Sequence, residues 1–299
     1  MRIPARFQVG VATHTGLVRS ANEDDFLVVA PPDGGALQLC AAIADGMGGV
    51  AGGAEASRAG LRGFAAGLLR DGRAATAAAV TRGFAGASER VHEQATLVPA
   101  LREMGTTLTA LAFERDRAVL GHVGDSRAYL LRQGELRQLS QDHSVAGQQN
   151  RLLRCIGGGM AETAPDLLEL DLQTGDRFLL CSDGVWGPVA PARLLELLAR
   201  HPAAPAAERL VAAALAAGGP DNCTALVVHV VEVAPDAPAA EVALPVQEAS
   251  RRGELVRRGR LGAARWPWLL VALTLLLAAA LVAHWWVGFD PLQWFRGWR

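Results

Sequence analysis

The sequence lacks lysine and carries almost no net charge. All 29 basic residues are arginine, 30 residues are acidic, and the formal net charge is -1. A surface that binds nucleic acid or another polyanion needs an excess of positive charge, so this balance argues against such a partner. Because alanine and glycine are abundant, we attribute the absence of lysine to genomic base composition.

Paired cysteine motifs and an apolar N-terminal segment are also missing. The four cysteines, Cys40, Cys155, Cys181 and Cys223, show no CxxC spacing. We expect buried, reduced thiols in a reducing cytoplasm, with a disulfide or a thiol metal site as the less favoured alternative. Residues 1–4 are not followed by an apolar segment, so we expect no signal peptide.

Two apolar segments end abruptly in an Asp-Gly pair. Residues 39–44 precede Asp45-Gly46, and residues 178–182 precede Asp183-Gly184. Short apolar runs of this kind predict buried strands. A carboxylate at the end of a buried strand is costly unless something compensates its charge, and a metal ion would do so. An Asp-Gly pair alone is more often just a turn, so the evidence for a metal site lies in the repetition. Two such strands could lie side by side and present their acids to one pair of cations.

Further acids stand at turns with small neighbours. They are Gly124-Asp125, Pro220-Asp221 and the pair Glu23-Asp24. Because these groups offer only oxygen donors, magnesium or manganese is expected rather than zinc. Two such ions close together can activate a water molecule and hold a phosphoryl group for in-line attack. Arg19 could bind the phosphate through two hydrogen bonds from its guanidinium group.

The remaining pattern mixes strands with helices. Apolar alternation and β-branched residues predict strands over residues 6–11, 26–30, 106–113, 118–123, 127–132, 136–139, 176–182 and 224–233. Apolar stripes and composition predict helices over residues 54–70, 74–96, 192–200 and 206–217. Gly83 and Gly86 weaken the prediction that the second helix is continuous. Gln133-Gly134 predicts a hairpin turn.

The C-terminal quarter has a different composition. Residues 234–265 predict a flexible linker that ends in a basic segment, with six arginines between Arg251 and Arg265. Residues 266–287 are apolar with tryptophans near both ends, which predicts a transmembrane helix. A buried core helix is the less favoured alternative. The arginines before this span predict a single-pass protein of the inner (cytoplasmic) membrane with residues 1–233 in the cytoplasm. Residues 288–299 would form a short Trp-rich tail.

Six motifs together resemble a known family. They are Arg19-x-x-Asn22-Glu23-Asp24, Ala44-Asp45-Gly46-Met47-Gly48-Gly49, Gly105-Thr106-Thr107, Val123-Gly124-Asp125-Ser126-Arg127, Ser182-Asp183-Gly184-Val185-Trp186 and Asp221-Asn222. In this order they resemble the bacterial branch of the type 2C metal-dependent serine/threonine protein phosphatases, over about residues 7–233. The resemblance implies an α+β fold, a four-layer αββα sandwich of two antiparallel β-sheets flanked by helices. Its metals would lie in a cleft at one end.

The resemblance also implies a role for each acid that could bind a metal ion. Asp45 resembles the acid that bridges two Mn²⁺ or Mg²⁺ ions, and the Gly46 carbonyl would contact one of them. Asp183 and Asp221 resemble the remaining direct ligands of the second ion. Asp125, with Asp183, resembles the site of a weaker third ion.

Three other residues correspond to groups around the ions. Glu23 and Asp24 resemble the acids that hold metal-bound waters, and Arg19 resembles the phosphate-binding arginine. Met47 stands where some members carry a histidine that protonates the leaving group. Residues 145–149 are a shorter segment than the mobile flap that the family usually has there.

The function implied is that of a membrane-anchored serine/threonine phosphoprotein phosphatase that hydrolyses phosphomonoesters. Its partners would be phosphorylated protein substrates, with an opposing serine/threonine kinase. The alternatives are a catalytically weak regulatory module that binds phosphoproteins, and a membrane scaffold that retains the phosphatase fold. We expect His143 to be a turn or capping residue rather than a catalytic one.

Overall fold

The structure is a computed structural model that describes residues 2–31, 36–71, 76–145, 152–159, 164–233 and 239–241. Within those ranges, no helix has both the length and the apolar character needed to cross a membrane. The predicted transmembrane span and Trp-rich tail lie outside the described residues, as do the basic segment, most of the linker and residues 146–149 of the short flap.

Two antiparallel sheets form the centre of the fold. The first contains seven strands among the described residues: β3 (Asp24–Val29), β4 (Leu39–Met47), β5 (Gly105–Thr106), β6 (Leu108–Phe113), β7 (Arg117–Val123), β10 (Ile156–Gly157) and β11 (Asp166–Asp171). The path through it runs β10-β5-β4-β6-β7-β11, and β3 pairs with β4. The predicted apolar segment before Asp45 is therefore a central strand of this sheet.

The second sheet has five strands in the order β2-β13-β12-β8-β9. They are β2 (Phe7–His14), β8 (Arg127–Arg132), β9 (Glu135–Gln138), β12 (Arg177–Cys181) and β13 (Cys223–Val230). The segment before Asp183 is β12, which pairs with β13 and β8. The two Asp-Gly strands thus lie in different, stacked sheets rather than side by side in one. A small ladder pairs β1 (Arg2–Pro4) with β14 (Ala239–Glu241), inside the predicted linker.

Five α-helices of the described chain complete four layers. They are α1 (Gly49–Leu69), α2 (Thr76–Leu97), α3 (Asp183–Trp186), α4 (Pro191–Arg200) and α5 (Ala203–Ala216). One apolar core lies between α1, α2 and the first sheet, a second lies between the sheets, and a third lies between the second sheet and α4 and α5. Strand β4 contributes to two of these cores because its side chains alternate between the two faces of the sheet: Ala42 packs into the first core and Ile43 into the second.

Glycines allow α1 and α2 to pack closely, so α2 is continuous despite them. A Cβ at Gly63 would lie 2.2 Å from the carbonyl oxygen of Gly86, and one at Gly83 would lie 2.6 Å from the ring of Phe64. Such distances are too short for any side chain. The glycines that weakened the prediction of α2 are therefore the residues that permit its contact with α1.

The structure departs from the predicted elements in several places. Helix α1 begins at Gly49, five residues before the predicted start, because a run of glycine and alanine gave no apolar stripe. Strands β1, β10, β11 and β14 and the short helix α3 were not predicted. β11 pairs along its length with β7 at a sheet edge, and most of its side chains are exposed, so it lacks the alternation that marks a half-buried strand.

Candidate active site

A cavity of about 330 Å³ lies where the ends of the two sheets meet. Its lining includes seven of the eight residues predicted for the site: Arg19, Glu23, Asp45, Gly46, Asp125, Asp183 and Asp221. Asp45 lies near the end of β4 in the first sheet, whereas Asp183 begins α3 shortly after β12, and Asp221 lies just before β13 of the second sheet. Stacking the sheets therefore brings distant acids to one place.

Asp24 is buried behind this lining, although it belongs to the predicted set. It pairs with Asp45 across the β3–β4 ladder. Its Oδ2 accepts a hydrogen bond from Ser182 Oγ at 2.7 Å, while its buried Oδ1 has no hydrogen-bond partner. A buried carboxylate oxygen without a partner is costly, so Asp24 fits a site that receives water or cations.

The backbone around Asp45 is fixed by the Gly105-Thr106-Thr107 motif. The Asp45 amide donates to Thr107 Oγ1 at 2.9 Å, and the Thr107 amide donates to the Asp45 carbonyl at 2.9 Å. Thr106 Oγ1 donates to the same carbonyl. The next residue must be glycine, because a Cβ at Gly46 would lie 2.0 Å from the Gly53 carbonyl oxygen. The chain turns here with little freedom to move.

The acids raise one another's pKa values. Burial, and then repulsion from neighbouring carboxylates, raises the pKa of Asp45 well above its usual range and that of Asp183 to about 7. Burial is also the main cause that raises the pKa of Asp24 and of Asp125 to about 6. Burial likewise raises the pKa of Glu23. The cluster therefore needs positive charge to ionise fully at neutral pH.

The donor set fits hard divalent cations. It consists of carboxylate oxygens and the Gly46 carbonyl, which are the ligands that magnesium and manganese prefer. Among the described residues, no three His, Cys, Asp or Glu side chains are arranged to hold an ion by themselves. Ions here would also need the carbonyl, water or substrate oxygens, as magnesium usually does.

Arg19 lies at the cavity with its guanidinium on an acid. Its Nη2 donates to Asp221 Oδ2 at 2.7 Å, and the side chain is 49% exposed. The hydrogen bond to Asp221 raises the pKa of Arg19, so the group stays charged. Since a guanidinium has five N–H donors, the bond to Asp221 leaves others for a phosphate.

Asn222 holds the loop that carries Arg19 and Glu23, and sequence reasoning assigned it no role. Its Nδ2 donates to the carbonyls of Thr15 and Ala21 at 2.8 and 2.9 Å. Its Oδ1 accepts from the Glu23 amide at 2.8 Å. The motif Asp221-Asn222 was the available signal, but the partners of an amide side chain cannot be identified without the fold.

The loop of Asp125 is held from two sides. The Gly124 amide donates to His143 Nδ1 at 3.1 Å, and the His143 amide donates to the Gly124 carbonyl. On the other side, Trp186 Nε1 donates to the Asp125 carbonyl at 3.1 Å. His143 Nε2 lies 2.9 Å from both Asp166 Oδ2 and Arg154 Nη1, so the ring is held on its outer side as well. His143 is buried and does not line the cavity.

We expect His143→Gln to leave both limbs of the pH–rate profile in place. The ring supports the backbone of Gly124, so the substitution should lower thermal stability while proton transfer at the cavity continues. The measurement is kcat/KM against pH, together with the melting temperature. Loss of the acid limb in the variant would show that His143 takes part in proton transfer.

The family and its relatives agree with this geometry. The family model of protein phosphatase 2C matches residues 16–217, more than half of the chain. The serine/threonine protein phosphatase PstP of Mycobacterium tuberculosis is 36% identical over 254 residues, which cover 77% of this chain and 46% of PstP. This chain therefore spans about half the length of that relative. The serine/threonine phosphatase stp of Listeria monocytogenes is 32% identical over 245 residues, covering 73% of this chain and 93% of stp.

Solved structures share the fold. The catalytic domain of PstP, crystallised with two manganese ions, matches with a TM-score of 0.67 at 35% identity, covering 76% of this chain and 99% of that domain. PppA of Pseudomonas aeruginosa matches with a TM-score of 0.65 at 32% identity, over 76% of this chain and 98% of PppA. The arrangement of two antiparallel sheets flanked by helices, predicted from the motifs, is thereby confirmed.

Proposed function

The chain belongs to the protein phosphatase 2C family, and we propose that it removes phosphate from serine or threonine residues of proteins. The observation that carries this proposal is the cavity in which acids from two sheets meet Arg19. A binding module that had lost catalysis would not need to keep the whole acidic set. The manganese pair in the PstP catalytic domain supports the same conclusion.

We assign the metal-holding roles to the acids of the cavity. Asp45 and the Gly46 carbonyl would hold one manganese or magnesium ion, and Asp45 with Asp183 and Asp221 would hold a second. Such ions, when bound, polarise phosphate oxygens and activate a water molecule. A third ion at Asp125 and Asp183 stays a prediction.

The chain's own residues would bind the substrate and place the other groups. Arg19 would orient the phosphate with the N–H groups that Asp221 does not use. Glu23 and Asp24 would hold water at the rear of the cavity. Met47 lines the cavity and cannot donate a proton, so protonation of the leaving group falls to water.

The test of this function is manganese-dependent release of phosphate from a phosphothreonine peptide by the full chain, compared with Arg19→Ala. Because a clamp on the phosphate acts in both the ground and transition states, we expect KM to rise about 10-fold or more and kcat to fall less. Arg58→Ala is the matched control, since Arg58 is an exposed arginine that pairs with Glu55 on α1. An unchanged KM would show that Arg19 does not reach the substrate, and no metal-dependent release at all would refute the function.

We also propose that residues 266–287 anchor the enzyme in the inner membrane, with residues 1–233 in the cytoplasm. The support is the sequence alone: an uncharged apolar stretch at 269–283, flanking tryptophans and the six arginines before it. Anchoring would raise the local concentration of membrane-bound kinases and their targets.

Two arginines placed in the apolar stretch should release the protein from membranes. Each arginine at the centre of a spanning helix costs about 2.5–3.5 kcal/mol of insertion free energy. We therefore expect the full chain to resist carbonate extraction from membranes and Leu275→Arg/Ala279→Arg to be recovered in the soluble fraction. Wild-type chain in the soluble fraction would contradict the anchor.

A further inference from the structure

Exposed apolar side chains lie in and beside the lining of the acidic cavity. Leu17, Val18 and Leu153 are 66%, 72% and 60% exposed, Met47 is 37% exposed, and Leu152 is half-buried. Met47 and Leu152 line the cavity, Leu17 and Val18 directly precede the lining residue Arg19, and Leu153 follows Leu152. We call these five residues the apolar rim.

Exposed apolar side chains are concentrated at the rim and are not evenly spread over the described surface. Single exposed hydrophobic residues are normal on any protein. Of the ten large hydrophobic side chains exposed in the described part of the chain, four belong to the rim: Leu17, Val18, Met47 and Leu153. Apolar groups gathered around a catalytic cavity indicate that something apolar covers them during function.

Two residues of the rim have their backbone held by hydrogen bonds to other segments of the chain. The Leu17 amide donates to the Gly219 carbonyl at 2.8 Å, and the Leu153 amide donates to the His143 carbonyl at 2.7 Å. Preorganised contacts of this kind lose little conformational entropy on binding.

The charges of the cavity do not favour an acidic occupant. Arg19 is the one cationic side chain in its described lining, and it already pairs with Asp221. Carboxylates provide the other charges, and they would be needed to hold the ions. Residues that flank a phosphorylated side chain would therefore meet apolar groups at the rim and, among the described residues that line the cavity, no cation besides Arg19.

We propose that the apolar rim binds the residues on either side of the phosphorylated serine or threonine, and that the enzyme prefers substrates with large apolar residues there. The inference rests on the proposed function, because the phosphate must occupy the cavity for its neighbours to reach the rim. We choose this occupant because the rim is continuous with the site: Met47 and Leu152 line the cavity that would hold the phosphate.

The experiment compares two phosphothreonine peptides of equal length and charge, one with leucine and one with serine at the positions before and after the phosphothreonine. Partial burial of two leucines should raise kcat/KM about 5- to 20-fold, mostly through KM. In the full-length variant Val18→Ser/Leu153→Ser, this ratio should fall to about 1–2. The matched control is Leu167→Ser/Leu168→Ser, which removes two exposed leucines of β11 outside the cavity lining and should keep the wild-type ratio.

Three outcomes would overturn the proposal. Equal kcat/KM for the two peptides, or a preference that survives in Val18→Ser/Leu153→Ser, would show that the rim does not bind flanking residues. If the rim instead covers a second copy of the chain, the peptides would be hydrolysed equally and the rim variant would have a lower mass by light scattering. Metal-dependent hydrolysis of a small aryl phosphate separates these outcomes from failure of the proposed function. Fluorescence anisotropy of the labelled peptides gives the same ranking without turnover.

Discussion

Replacing Asp45 with asparagine should lower kcat on the order of 1,000-fold or more, because Asp45 is the side chain that we assign to both of the two proposed ions. The fold should survive, since the side chains have nearly the same shape and the backbone of Asp45 is held by Thr106 and Thr107. Phosphate release at saturating manganese measures the loss. Glu169→Gln, an exposed acid on β11 that pairs with Arg117, is the matched control.

Asp45→Asn should be more stable than the wild type without metal, and the order should reverse when metal is added. A carboxyl whose pKa is higher in the folded chain destabilises the fold as pH rises above its unfolded pKa, and fully so above its folded pKa. Because burial and neighbouring acids raise the pKa of Asp45, the neutral variant should melt about 2–8 °C higher than wild type in chelator near neutral pH. Manganese should raise the melting temperature of wild type and have little effect on the variant. Equal stabilisation of both proteins by manganese would contradict the metal assignment.

The sequence singles out Asp45, Asp125 and Asp183 because their signal is local. Asp45 and Asp183 follow apolar runs, Asp125 stands beside a glycine, and a buried charge in such a position is costly unless something compensates it. What the sequence could not provide is the distance between them. Asp45 and Asp183 meet because two sheets stack through Ile43, Leu180 and their neighbours, and that contact is made between residues far apart in the chain.

Parts of the fold whose signal is not local were missed. Strand β11 is stabilised by its pairing with β7, and its sequence Asp166–Asp171 has no buried face of its own. The first turns of α1 lie in a run of glycine and alanine, where Gly53 packs closely against Glu23 and the Gly46 carbonyl, a contact that composition cannot express. In both cases a tertiary contact overrides a weak intrinsic preference.

Asn222 is the clearest case of a site residue that only the fold identifies. Of the predicted substitutions, Asn222→Ala should have the second-largest effect on activity. The side chain is 5% exposed and makes three hydrogen bonds to the backbone of the loop that carries Arg19. Alanine would leave one amide and two carbonyls without partners, at about 1–3 kcal/mol for each group that water cannot reach. We expect the melting temperature to fall by about 5–15 °C. Gln138→Ala, which removes an exposed amide with two hydrogen bonds, should change it little.

The kinetic effect distinguishes positioning of the loop from stability alone. Well below the melting temperature of the variant, kcat/KM should still be about 100-fold lower, because a small displacement of substrate-binding groups costs that much. This loss of kcat/KM would come mainly through Arg19. Adding Arg19→Ala to Asn222→Ala should therefore lower kcat/KM by a smaller factor than Arg19→Ala does in the wild type. Full additivity of the two substitutions would mean that Asn222 supports the fold without placing Arg19. If the two substitutions were additive and Asn222→Ala had a normal KM, the role of Asn222 would be limited to holding the Glu23 amide and the acids behind it.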